Sequence, residues 1–378
     1  MPSTNTAFWY ANPAARQWQT PAPASALSFH QTLEGYAPTP LTSLPSIAAE
    51  LGVGKVFLKN ESDRLGLPAF KILGASWATC RVLCERFGLD IASVTVDQLQ
   101  DFLATLEASA RPVLVTATDG NHGRAVSRMA RLLGIRSRIY IPNGLSAAAI
   151  DGIKGEGAEL VPLDATYDEV VEAASVSVAD SETDLLVQDT SWPGYTDIPR
   201  WIVDGYTTLF AEVDDALAAL GSERPSLVAC PVGVGSLALA LVDHYRSPAA
   251  LGSPSLLSVE PQTAACIVQS LLAGEPVTVD TSFPSIMSGL NCGTPSELGW
   301  PSLRSGLDAA VSVTEEECRQ AVLDLSALGQ DAGPCGAATL AGVRNALADE
   351  GRRRQLGIGP DSVVVLVSTE GLAANPLR

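Results

Sequence analysis

Apolar residues fall along this chain in two alternating patterns: short unbroken runs, and longer stretches that repeat every three to four positions. The unbroken runs read as strands buried on both faces. They are KVFLKN (55–60), RPVLVTAT (111–118), RIYIPNG (138–144), AELVPLD (158–164) and DLLVQDT (184–190). Between them the helical period predicts helices over FKILGASWATCRVLCERFG (70–88) and AVSRMARLLG (125–134), the second closed by Gly134. A second series follows. PSLVACPVGVGS (225–236) is a strand and glycine loop, LALALVDHY (237–245) a helix, SLLSVEP (255–261) a strand, EEECRQAVLDLSALG (315–329) a helix and DSVVVLVSTEG (361–371) the last strand. Alternation of this kind predicts an α/β fold with mostly parallel sheets covered by helices on both faces. At 378 residues the chain exceeds what one core usually serves, so two three-layer α/β lobes with a cleft between them are expected. The first forty residues hold several prolines and no period, and read as an extended arm.

Charge narrows the partners. With 24 basic and 42 acidic residues the formal charge is −18, which repels nucleic acid and anionic membrane. No 18-residue apolar run and no signal-like N-terminus is present, so a cytoplasmic protein is expected. The seven cysteines are scattered, no CxxC pair occurs and only three histidines exist, so no metal site is expected. Most of the cysteines read as small buried hydrophobes.

In folds of this class ligands sit at the carboxyl ends of strands, and four polar loops fall there: DGNHG (119–123), VQDTSW (187–192), VGVGS (232–236) and STEG (368–371). The chain has only four lysines, Lys55, Lys59, Lys71 and Lys154. Lys71 stands at an apolar helix start behind Phe70, where partial burial would favour the neutral, nucleophilic amine. Gly233 and Gly235 let backbone amides turn inward at a helix N-terminus, an arrangement suited to phosphate. The loop is neither a Walker A sequence nor a full GxGxxG, which disfavours a nucleotide or hydride-transfer reading. Asn121 can both donate and accept, Asp119 can act as a base, and His122 alone reads as structural. Asp189, Ser368 and Thr369 lie just past strand ends, where a hydroxyl could meet a pyridine nitrogen.

Taken in order, these features resemble the fold-type II pyridoxal-phosphate enzymes, the tryptophan synthase β family, and within it the diaminopropionate ammonia-lyase family. The resembling stretches include YAPTPLTSL (36–44), FLKNESDRLGLPAFKILGASWA (57–78), TATDGNHGRAVSRMARLLG (116–134), VQDTSWPGYTDIPRWIVDGYTTL (187–209), VGVGSLA (232–238), VEPQTAACI (259–267), MSGLNCGTPSELGW (287–300) and LVSTEG (366–371). The resemblance implies a large cofactor-binding domain over 1–87 and 193–378, a small α/β domain over 88–192, and pyridoxal 5′-phosphate in the cleft. It implies that Lys71 forms the Schiff base, with Phe70 beside it. Asn121 would contact the ring oxygen, and Gly233, Val234, Gly235 and Ser236 would cradle the phosphate. Ser368 or Thr369 would face the pyridine nitrogen. Loss of the β-amino group from 2,3-diaminopropionate would give pyruvate and ammonia. Lys71 would be the base for the L-isomer, Asp119 the base for the D-isomer, and Asp189 would orient the substrate amine. A homodimer acting on a small amino acid, without an appended regulatory domain, is also implied.

The chain departs from the family in places. KDES becomes Lys59-Asn60-Glu61-Ser62, ESGAVG becomes DAGPCGA (331–337), and STEGDTD becomes STEGLAAN (368–375). These changes leave room for serine or threonine dehydration, or for β-replacement on a related amino acid. Asp119 beside Asn121 favours diaminopropionate, because ordinary dehydratases carry serine there. The family's cysteine pair corresponds to Cys266 and Cys292. A reducing compartment argues against a permanent bridge, and their pairing stays open.

Overall fold

The structure, a computed structural model, describes residues 7–118 and 120–377. Eleven strands are present among them: β1 (Trp9–Ala11), β2 (Leu41–Ser43), β3 (Lys55–Asn60), β4 (Val113–Ala117), β5 (Arg136–Pro142), β6 (Glu159–Leu163), β7 (Asp184–Leu186), β8 (Leu227–Pro231), β9 (Ser255–Pro261), β10 (Ala309–Val313) and β11 (Val363–Ser368). They form two sheets, one in the order β1-β10-β9-β8-β11-β3-β2 and one in the order β6-β5-β4-β7. Only β1 on β10 and β2 on β3 pair antiparallel; every other pairing is parallel.

Several of the unbroken apolar runs are central strands, since a strand with helices on both faces has no solvent side for polar residues; AELVPLD and DLLVQDT instead form the edge strands β6 and β7. Every residue of β4, β8, β9, β10 and β11 is buried, whereas β6, at a sheet edge, has none buried. Three strands escape the sequence pattern: β1, β2 and β10. The first forty residues are not simply an extended arm. They contribute β1, which closes the edge beside β10, and a short helix over Leu27–His30. The run at 184–190 yields only three ladder residues, after which the chain turns away.

The chain divides into two compact units: Met1–Pro23, Pro38–Arg64 and Leu209–Arg378 in one, Ala24–Ala37 and Leu65–Thr208 in the other. The helix Ile72–Phe87 and residues 193–208 therefore belong with the four-stranded sheet, although the sequence reading groups them with the larger domain. In the unit of the seven-stranded sheet, β8 and β11 are parallel neighbours with Leu366 opposite Ala229. That register ends both strands side by side, at Pro231 and Ser368. The core there joins Val56, Leu58, Ala229, Leu257, Val259 and Leu366 to the helix Pro334–Ala348.

Beyond β3 lies a fully buried charge network. Lys59 Nζ donates to Glu212 Oε2 at 2.6 Å, and Arg64 donates to both oxygens of Glu212 and of Glu61 at 2.7–2.8 Å. Burial would raise the Glu212 carboxyl, but Arg64 and Lys59 outweigh it and hold the group at about 2.

In the other unit, β4 and β7 pair with Val115 opposite Leu186, so their carboxyl ends also lie side by side. The helix Ile72–Phe87 packs tightly against the part of the helix Asp197–Ala219 around Gly205 and Tyr206. A Cβ at Gly205 would stand 2.4 Å from the Leu73 carbonyl oxygen, and one at Gly74 would stand 2.5 Å from Tyr206 Cε1. Among the described residues no helix is long and apolar enough to cross a membrane.

Candidate active site

In the unit of the four-stranded sheet, chemistry gathers at the ends of β4 and β7. Lys71 is the N-cap of the helix Ile72–Phe87, and its Nζ donates to Asp189 Oδ2 at 2.9 Å. The two side chains are 28% and 15% exposed, enough for a ligand to reach them but not for water to screen them fully. Phe70 and Tyr206 pack ring to ring at 4.7 Å, with Lys71 Nζ 5.5 Å and 5.8 Å from their centroids. This aromatic wall fixes the lysine and keeps one side of it apolar. Burial pushes the Tyr206 phenol up to about 12, so it stays neutral.

Burial alone would raise Asp189. The electrostatic pull of His122 and of the Lys71 ammonium outweighs that and holds the carboxyl at about 2. Asp189 is therefore an anion throughout the physiological range. His122 is buried, with Nε2 2.8 Å from the Val187 carbonyl oxygen and Nδ1 3.7 Å from Asp189 Oδ2. The carbonyl can only accept, so Nε2 carries a hydrogen and Nδ1 faces the carboxylate. Gln188 is wholly buried: its Oε1 accepts from Thr116 Oγ1 at 2.8 Å and Ala117 N at 2.9 Å. Tyr195 OH donates to the Leu186 carbonyl and accepts from Gln188 N, and its ring stacks on Trp192 at 4.3 Å. Together they pin the segment that carries Asp189. Asn121 opens the helix Asn121–Leu132 and is half-buried. Asp119 lies outside the described residues.

In the unit of the seven-stranded sheet, the VGVG turn follows β8. Gly235, the N-cap of the helix Ser236–Tyr245, has φ +108°, and no side chain caps that helix. A Cβ there would stand 2.5 Å from Leu303, and one at Gly233 would stand 2.9 Å from Cys292 Sγ. Both positions demand glycine, the first for conformation and the second for space. The helix start is left open to an anion. Ser368, the last residue of β11, is fully buried, and its hydroxyl has no hydrogen-bond partner among the described residues. Such a group is costly unless a ligand completes it. Thr369 is buried beside it.

The departures cluster here. A Cβ on Gly336 would stand 2.4 Å from Ser368 Oγ. The Cys335 amide donates to Glu370 Oε1 at 3.3 Å, and the Leu372 amide donates to Asp331 Oδ1 at 2.8 Å. Acidic side chains thus still hold this corner, supplied by Glu370 and Asp331. All seven cysteines are free thiols. Cys266 is buried with Sγ 3.7 Å from the Gly233 carbonyl, and Cys292 is half-buried, so the two flank Gly233 without a bond.

Lys71 and Asp189 are in direct contact, while Gly233 to Ser236, Ser368 and Thr369 gather at the paired ends of β8 and β11. Sequence reasoning missed Gln188 and Tyr206 and set His122 aside. The only available signal was their presence in the segments 116–134 and 187–209 quoted above.

A family model described as pyridoxal-phosphate dependent enzyme matches residues 32–370. The diaminopropionate ammonia-lyase of Escherichia coli K12 is 37% identical over 361 residues, covering 92% of this chain and 87% of that protein. The crystal structure of selenomethionine-labelled holo diaminopropionate ammonia lyase from Escherichia coli superposes with a TM-score of 0.87 at 32% identity, covering 97% of this chain and 94% of that one. A structure of the same enzyme in complex with an aminoacrylate–pyridoxal-phosphate azomethine reaction intermediate gives 0.85 at 32% identity, with the same coverage.

Proposed function

This chain belongs to the pyridoxal-phosphate dependent enzyme family, and from that premise we propose that it is a lyase removing the β-amino group of 2,3-diaminopropionate as ammonia. The observation that carries this reading is Lys71 Nζ held 2.9 Å from an ionised Asp189 beside Phe70 and Tyr206. The residues present fit the cofactor: a reachable lysine, a glycine turn before a helix whose N-cap residue is Gly235, and a buried serine hydroxyl without a partner among the described residues.

When bound, pyridoxal 5′-phosphate supplies the electron sink for the pair left on the α-carbon. The amides of Gly233, Val234, Gly235 and Ser236 would hold the phosphate. Ser368, with Thr369 beside it, would face the pyridine nitrogen, and a hydroxyl would leave that nitrogen less fully protonated than a carboxylate. Asn121 would contact the ring oxygen, and Phe70 would exclude water from one side. Lys71 would be the residue that holds the cofactor covalently and, as a free amine, would take the α-proton of the L-isomer. Asp119 takes it from the opposite face for the D-isomer. Asp189, ionised at working pH, holds the substrate ammonium. The released enamine hydrolyses to pyruvate and a second ammonia, which balances diaminopropionate plus one water. The working form is read as a cytoplasmic homodimer, on family likeness.

Reconstitution tests this. Cofactor absorbance should disappear in Lys71→Ala while the fold persists. Ammonia and pyruvate release should be greater from diaminopropionate than from serine or threonine; the reverse order would replace the proposed activity with a dehydratase.

A further inference from the structure

We infer that Gln188 is a positioning residue for this elimination, fixing the Asp189 carboxylate from the side opposite Lys71 by tying it to the end of β4. The inference rests on the proposed function, because it concerns the group that would hold the substrate ammonium.

The orientation of the Gln188 amide is not arbitrary. The Ala117 N–H can only donate, so the atom 2.9 Å from it is the carbonyl oxygen, and the same oxygen takes the Thr116 hydroxyl. The NH2 group must then face the other way, where it lies 3.4 Å from Asp189 Oδ1 and 3.2 Å from the Tyr167 hydroxyl. The two carboxylate oxygens are thereby distinguished: Oδ2 meets Lys71 at 2.9 Å and His122 at 3.7 Å, and Oδ1 meets Gln188.

These supports differ in permanence. Lys71 would leave its place on Oδ2 on bonding the cofactor, and His122 Nδ1, at 3.7 Å, attracts the carboxylate only when protonated. The Gln188 amide does not titrate and, with the backbone N–H of Asp189 itself, keeps the carboxylate turned the same way while Lys71 moves. Its anchor, β4, is one of the two interior strands of the four-stranded sheet and fully buried.

Gln188→Glu tests the role, because it preserves shape and the acceptor toward Ala117 while replacing the donor with a titrating acid. The charged or titratable groups around that position are Asp189, Lys71 and His122 behind it, and the phenols of Tyr167 and Tyr195. Protonated, the new acid still donates to Asp189; ionised, it repels it. The reconstituted holoenzyme should show a new ionisation in kcat/KM against pH. Diaminopropionate turnover should be near wild type at acid pH and fall about tenfold to a hundredfold above it, carried mainly by KM because the contact is made in ground and transition states alike. The absorbance of bound cofactor, read without substrate, should acquire the same titration. A purely structural Gln188 would instead lower the melting temperature or the active fraction and leave the pH profile, KM and spectrum of the remaining sites unchanged. That result would overturn the inference. Failure of wild-type protein to turn over diaminopropionate would strike the proposed activity instead, and the spectral titration would still decide the role of Gln188.

Discussion

Neutralising Asp189 should make Lys71 bond the cofactor more readily at neutral pH while turnover collapses. Asp189→Asn keeps the shape and removes the charge. The Asp189 carboxyl sits at about 2 against an ordinary 3.8, net of a burial penalty acting the other way. At about 1.4 kcal/mol per unit, the net preference for the ionised carboxyl, to which His122 and Lys71 contribute, is roughly 2.5 kcal/mol. The coupling is reciprocal, so the carboxylate favours the ammonium form of Lys71 by the share belonging to that pair. His122 takes part of the total, and the lysine side chain is 28% exposed, so solvent screening leaves Lys71 only a fraction of it. The assay is the rate of covalent capture of pyridoxal phosphate by apoprotein as a function of pH. Its midpoint should move down in the variant, by less than the roughly two pH units that separate Asp189 from an ordinary carboxyl, giving faster capture at neutral pH. Diaminopropionate turnover in the same protein should fall by two or more orders of magnitude. A midpoint that stays put or rises would refute the electrostatic account of the Lys71–Asp189 pair.

Four further outcomes are expected. Ser368→Ala should hold or raise apoprotein stability, because a buried hydroxyl with no partner among the described residues is costly, yet weaken cofactor binding in an equilibrium titration. Gly336→Ala should weaken cofactor binding more than Ser368→Ala does, since its Cβ would stand 2.4 Å from Ser368 Oγ and displace it. Gly235→Ala forces a side chain into φ +108° and against Leu303; a loss of about 1–3 kcal/mol in denaturant melts and a sharp drop in phosphate-dependent affinity should follow. The Glu212 pKa is depressed from 4.5 to about 2, so its stabilisation is present above about 4.5 and is lost as pH falls toward 2. It amounts to on the order of 3 kcal/mol. Chemical denaturation from pH 7 to pH 3 should show that decline in wild type and a flatter one in Glu212→Gln.

Most of the strands buried on both faces are legible in the sequence, β10 being the exception. β3 and β9 coincide with KVFLKN and SLLSVEP residue for residue, because a covered strand needs an apolar centre and its polar flanks mark its ends. The helix start at Lys71, the glycine turn at 233–235 and the strand end at Ser368 were likewise legible, since each depends on neighbours a few residues away. Only the tertiary structure decided the rest. The edge strands β1 and β2 are three residues long and exist through their partners β10 and β3, so no local period announces them. The pairing of Lys71 with Asp189 spans 118 positions, and Lys59 reaches Glu212 across 153. His122 reads from the sequence alone as structural; its Nε2 meets the Val187 carbonyl, and the β4–β7 register turns its other nitrogen toward Asp189. A polar side chain takes its chemistry from what the sheet register brings beside it, and that register is set by long-range packing rather than by the residues next to it in the chain.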